Sequence, residues 1–247
     1  MSIKTTINYS PSFYLKKRKK KQIDFLIIHY TGMKNEKAAL SRLTKIQSQV
    51  SSHYLINRDG EIILLVPDLY IAWHAGFSSW KKKRFLNTSS IGIELTNPGH
   101  EFKYKNFSKK QINSLVRLSK FLIKKYKISK KNILGHSDIS PERKKDPGEK
   151  FPWEHLAKKR IGVWHNLNRK MLINLRLKKC NNFEKKKFLI NLYKFGYPKK
   201  SIKRMKFEKY KRFVIKAFQR RFRKDLINGI IDQECLLISK NIAKKFK

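Results

Sequence analysis

Residues 24–31, DFLIIHYT, stay apolar and β-branched for about one strand's length. A run this short, with no polar alternation, belongs in the middle of a sheet. The chain must therefore supply it with neighbouring strands and covering layers. HYLINRDGEIILLVP (53–67) reads as two strands joined at Arg58, Asp59 and Gly60, a hairpin turn signal. SIGIELTNPG (90–99) is a further strand that closes at Pro98 and Gly99, and NILGHSD (132–138) is a last one. Between them, NEKAALSRLTKIQSQ (35–49) places Leu40, Leu43 and Ile46 at helical spacing. Residues 107–126 form the clearest helix. Ser108 is its N-cap, and Gln111 three positions on predicts a capping box. Ile112, Leu115, Val116, Leu122, Ile123 and Tyr126 mark one apolar face. This alternation runs to about residue 165 and indicates an α/β domain, a mixed central β-sheet flanked by helices.

Beyond residue 166 the strand signals stop and the charge becomes denser. Residues 181–198 read as a helix closed by Gly196 and Pro198. Residues 209–232 carry Val214, Ala217, Phe218 and Phe222 on one stripe, and residues 233–245 form a last short helix. The expected organisation is a domain over 1–165, a linker over 166–180 that is partly helical, and a small three-helix domain over 181–247.

Sixty Lys and Arg against 17 Asp and Glu leave a formal charge of +43. Such a surface meets polyanions, whether nucleic acid, anionic membrane or acidic wall polymer, and charge alone does not choose among them. Cys180 and Cys235 stand far apart, which argues against a disulfide framework or a thiolate metal site. No apolar run reaches the roughly 20 residues of a membrane span. The N-terminus has no apolar core of a secretory signal, so a cytoplasmic protein is expected, with the periplasm as the alternative.

Several residues can do chemistry. His29 and His136 each end a strand, and Asp146 follows in a turn-rich loop. If the strands are neighbours, the three meet at one rim of the sheet, as a catalytic zinc with an open water position requires. Otherwise they are two satisfied strand-end histidines and a turn cap. Glu94 interrupts an apolar strand, where a carboxylate is costly unless paired or functional. It is a candidate base, or half of a buried salt bridge. Lys144 could face an oxyanion or simply be solvated. His53 and His74, each beside an aromatic residue, line a cleft or pack in the core. Asp138 either orients a ligating histidine or serves the turn.

The segments IIHYTG (27–32), SSHYLINRDGEI (51–62), AWHAG (72–76), SIGIELTNPGHEF (90–102) and GHSDISPERKKDPGEKFPW (135–153) occur in order. Together they resemble the zinc-dependent N-acetylmuramoyl-L-alanine amidases, which include peptidoglycan recognition proteins. The tail, with FGYP (195–198) and residues 214–232, resembles a three-helix peptidoglycan-binding domain more weakly. The resemblance implies one catalytic zinc held by His29, His136 and Asp146, with Glu94 as acid and base and Lys144 as transition-state stabiliser. It places Trp73, His74 and His53 in the substrate cleft. The implied partner is peptidoglycan or a muropeptide, met by a monomer with no specific nucleic acid. Relatives that carry such a tail begin with an export signal and a lipid-attachment cysteine, which this sequence does not show. The rival readings are a non-catalytic peptidoglycan-binding module and a nucleic-acid-binding protein. The latter has no recognisable RNA- or DNA-binding motif behind it.

Overall fold

The computed structural model describes residues 3–201 and 205–245, so the ends of the two expected domains at 1–2 and 246–247, and residues 202–204, lie outside the described residues. In chain order the strands are β1 (Thr6–Ile7), β2 (Phe13–Tyr14), β3 (Phe25–Tyr30), β4 (Tyr54–Ile56), β5 (Ile62–Leu64), β6 (Ile71–Ala72), β7 (Ser79–Trp80), β8 (Lys83–Arg84), β9 (Ser90–Leu95) and β10 (Ile133–Gly135). The helices are α1 (Glu36–Thr44), α2 (Lys109–Tyr126), α3 (His136–Ile139), α4 (Trp153–Lys158), α5 (Arg169–Leu175), α6 (Asn182–Phe195), α7 (Phe207–Phe222) and α8 (Gln233–Lys245).

Six strands form one mixed sheet in the order β1-β5-β4-β9-β3-β10. Only the β4–β5 hairpin is antiparallel; every other pairing in this sheet is parallel. β3 is an interior strand, paired with β9 on one side and β10 on the other; its unbroken apolar run fits that place, because parallel strands are covered on both faces. Alternation along β3 assigns those faces. Leu26 and Ile28 point into a core with Leu115, Leu118 and Leu122 of α2, each of which is fully buried. Burial on that scale contributes about 1.5–3 kcal/mol per side chain. Phe25 and Ile27 point to the opposite face, and there they join a core made largely by α6, α7 and α8.

Ser108 caps α2 as expected, its hydroxyl accepting from the Gln111 N–H at 3.0 Å. The other half of the capping box does not form. Gln111 is completely buried, and its Nε2 donates to the carbonyls of Ile56 and Thr96 at 2.9 and 3.2 Å. Those carbonyls lie at the ends of β4 and β9, where a buried acceptor without a partner is costly. Residues 16–21, KKRKKK, are a basic run that is only partly at the surface. Arg18 is buried and donates to the carbonyls of Asp68, Asn87 and Ser90.

The three expected terminal helices form, but they are not separated from the sheet. Trp80 is 0% exposed and packs edge-on against Phe195 and Tyr197 at ring separations of 5.5 and 5.0 Å. The stretch expected as a linker contains α5, whose Leu172 is buried in the same core.

Candidate active site

Sheet register brings the first pair together. In the parallel β3–β9 ladder His29 stands opposite Glu94, so both side chains leave the same face on adjacent strands. β10 lies on the other side of β3, with Gly135 opposite Ile28. The chain leaves the sheet at the next residue. His136 is therefore not a strand end, as the sequence suggested, but the first residue of the one-turn helix α3. The loop then returns, and the Ser137 N–H donates to the Asp146 carbonyl at 2.8 Å. This brings the carboxylate of Asp146 against both imidazoles.

Three donor atoms face one point. The Nδ1 atoms of His29 and His136 are 3.0 Å apart, and Asp146 Oδ2 is 3.0 and 3.1 Å from them. A tetrahedral zinc with ligands at about 2.0–2.1 Å separates its ligand atoms by about 3.3 Å, so the triangle is the right size for that ion. The outer nitrogens show which way the lone pairs point. His136 Nε2 lies 3.2 Å from the Ala75 carbonyl, which can only accept, so Nδ1 is left unprotonated. For His29 the chain is longer. The Ser90 hydroxyl donates to the Leu86 carbonyl at 2.6 Å and accepts from His74 Nε2 at 3.1 Å. His74 Nδ1 then accepts from His29 Nε2 at 3.1 Å. Burial holds both His74 and His136 in the neutral form, His136 at about 4 and His74 well below its usual value. Burial alone would raise the Asp146 carboxyl, but the two imidazoles hold it well below the usual carboxylate range. Two imidazoles, each with a partner on its outer nitrogen, and a carboxylate are a fitting donor set for a divalent cation.

Glu94 is partly accessible from the cleft, yet its Oε2 is buried with no hydrogen-bond partner. Burial pushes its carboxyl up to about 7. A carboxyl poised near neutrality can both accept and return a proton. The cleft above these residues has a volume of about 400 Å³, and Trp73, His74, Arg143 and Lys144 also line it. One wall was not anticipated from sequence. The Tyr30 hydroxyl lies 2.8 Å from His100 Nδ1, and His100 Nε2 lies 3.0 Å from Glu149. Tyr30 and His100 lie inside the quoted IIHYTG and NPGH segments, so their adjacency to His29 and Glu94 was the available signal. Arg143 is also new here: it donates to the Ala75 carbonyl at 2.9 Å, the same oxygen that fixes His136.

His53 is 0% exposed and does not reach the cleft. Its Nδ1 accepts from the Gly92 N–H at 3.0 Å, and its Nε2 lies 3.1 Å from the Tyr70 carbonyl. Its expected contact with substrate is replaced by a place behind His74, the two rings being 5.6 Å apart. His74 lies at the cleft floor, 8% exposed, with both nitrogens engaged. Asp138 touches none of the three donor residues through its carboxylate. It accepts from the Gly135 N–H at 2.8 Å and from two residues of the terminal region.

The profile of the N-acetylmuramoyl-L-alanine amidases matches residues 19–149, a span that contains His29, Glu94, His136, Lys144 and Asp146. Over 237 residues the chain is 37% identical to the N-acetylmuramoyl-L-alanine amidase AmiD of Escherichia coli, covering 91% of this chain and 84% of that protein. The chain belongs to the N-acetylmuramoyl-L-alanine amidase family. The amidase is also 43% identical over 109 residues to the 1,6-anhydro-N-acetylmuramyl-L-alanine amidase AmpD of Haemophilus influenzae, covering 44% of this chain and 57% of the relative. A solved structure of E. coli AmiD, in complex with the substrate anhydro-N-acetylmuramic acid-L-Ala-D-gamma-Glu-L-Lys, matches the amidase with a TM-score of 0.79. That match has 36% identity and covers 91% of this chain and 90% of the other.

Proposed function

We propose that this amidase hydrolyses the amide between N-acetylmuramic acid and the first L-alanine of the stem peptide, with one zinc ion held by His29, His136 and Asp146. The observation that carries the reading is the single cleft that holds both the three-donor triangle and, on the neighbouring strand, a partnerless carboxylate oxygen. When bound there, zinc would supply Lewis-acid polarisation of the scissile carbonyl and make a neighbouring water more acidic. Glu94 takes a proton from the attacking water and passes it to the departing alanine amine. Lys144, on the loop that carries Asp146, faces the negative charge that develops on the carbonyl oxygen. Trp73 offers a partly exposed ring at the cleft edge for the sugar or peptide. Arg42, Arg143 and Lys145 also line the cleft, and they complement the carboxylates of a muropeptide.

The test is incubation of the zinc-loaded chain with a soluble anhydro-muropeptide and, separately, with purified sacculi, with products identified by mass. Release of peptides that begin with L-alanine, lost in Glu94→Gln while one zinc per chain is retained, is the expected result. A zinc-loaded chain that releases no such peptide from either substrate overturns the proposal.

A further inference from the structure

The terminal helices reach the loop that carries two of the three donors, and they reach it through one carboxylate. Asp138 is 1% exposed. Its Oδ1 accepts from the Tyr197 hydroxyl at 2.6 Å, and its Oδ2 accepts from Arg221 Nη1 at 2.6 Å. The same Oδ2 accepts from the Gly135 N–H at 2.8 Å, the residue that opens α3. Arg221 also donates from Nη2 to the Ile133 carbonyl at 3.0 Å, and its guanidinium lies 4.2 Å from the centre of the Trp153 ring. One guanidinium thus grips the start of β10 and the end of the turn that follows it. His136 lies between those two grips.

We propose that Arg221 and Tyr197 are positioning residues for the metal loop, acting through Asp138; the inference rests on the assignment of His29, His136 and Asp146 as the zinc site. Three features carry it. The grip brackets the donor: Ile133 and Asp138 lie on either side of His136, and the Gly135–Asp138 bond sets the backbone from which its imidazole projects. It extends to the second donor, because Ser137, inside the bracket, holds the Asp146 carbonyl. It is also directional. Arg221 presents two parallel donors of fixed geometry to two acceptors in apolar surroundings, and such a pair specifies position as well as energy. Apolar packing around Trp80 could attach the terminal helices to the sheet, but it would not dictate the conformation of one turn. On this reading the three-helix region, whatever else it binds, completes the metal loop from its own side of the sheet.

The test uses the full chain with Arg221→Gln, Arg221→Lys and Tyr197→Phe. Phe188→Leu serves as a control, because it loosens the core of the same helices away from the strut. Zinc affinity is measured by competition with a chromogenic chelator, and kcat and KM are measured on a soluble anhydro-muropeptide. Arg221→Gln is expected to weaken zinc binding by up to about 10-fold, the lower end of the loss seen for a direct outer partner of a ligand, because Arg221 acts one step further out. Its catalytic loss should fall on kcat with KM little changed. Arg221→Lys should recover part of both losses, and Phe188→Leu should leave zinc affinity alone even where it lowers the melting temperature. Should Arg221→Gln not fold, Tyr197→Phe, which removes one hydroxyl, gives the same reading at smaller amplitude. Variants at 221 and 197 that melt earlier but bind zinc like the wild type overturn the strut alone. A wild-type chain that binds no zinc overturns the metal assignment and the strut with it.

Discussion

His29 has one nitrogen on the donor triangle and the other committed to His74, so its usefulness depends on residues that never meet substrate. The relay from Leu86 through Ser90 and His74 needs the His74 ring pressed onto the backbone of β9. Gly92 makes that approach possible: a Cβ at that position would lie 2.5 Å from His74 Cγ. Gly92→Ala is therefore expected to cost about 1–3 kcal/mol through overpacking, read in a urea titration, and to weaken zinc binding in the same protein. On the proposed mechanism Glu94 acts on the reaction rather than on the ion. Glu94→Gln keeps the shape and removes the proton acceptor, so kcat should fall about a hundred- to ten-thousandfold. Metal content measured by elemental analysis should stay at one zinc per chain. The grouping of His29, Glu94, His136 and Asp146 was legible in the sequence because His29 and His136 follow and Glu94 interrupts apolar strands where a polar group needs a reason, with Asp146 in the turn-rich loop after them. His53 was not separable from His74 by the same logic. Both sit beside aromatic residues, and only the structure shows that one lies behind the other.

Among the elements, α2 shows how local signals can be half right. Its apolar face and its serine cap follow from spacing, but the glutamine expected to complete the cap reaches across to two strand-end carbonyls instead. Gln111→Ala should cost about 1–3 kcal/mol, because the buried Thr96 carbonyl loses its side-chain donor while the Ile56 carbonyl keeps the Thr96 N–H. It should leave kcat unchanged, since neither carbonyl touches the cleft; denaturant unfolding and steady-state kinetics on one preparation would check both. The β10–α3 junction was misread for a related reason. Sequence pattern carries the strand into residue 138, whereas the chain turns at His136 because Asp138 draws the Gly135 N–H into a helical turn. No period in the sequence marks a turn of four residues held by partners 59 and 83 positions away.

At the scale of the whole molecule, one apolar core joins the sheet to the terminal helices, and the cleft opens on the sheet face that those helices cover. Unfolding should then be a single cooperative calorimetric transition rather than two, because the core on that face of the sheet is shared with the terminal helices. Trp80→Ala, at the centre of the junction, is expected to cost about 3–5 kcal/mol and to shift that one transition as a whole. Two resolved transitions in either protein would contradict a shared core. Removal of zinc by a chelator should lower the same transition, by an amount that grows with the zinc concentration of the reference sample, since the folded chain alone presents the triangle. Among the described residues no helix is long and apolar enough to cross a membrane.

The amino-acid sequence by itself determined the class of fold, an interior strand, the candidate donor residues and the family, because each is written in short-range spacing and in residue types that burial would otherwise exclude. The tertiary structure alone decided that His53 stands behind the cleft, that Gln111 serves the sheet and that Asp138 answers to Tyr197 and Arg221. Those outcomes depend on which buried polar groups find each other across dozens of residues. That competition is settled by packing in three dimensions and leaves no periodic trace along the chain.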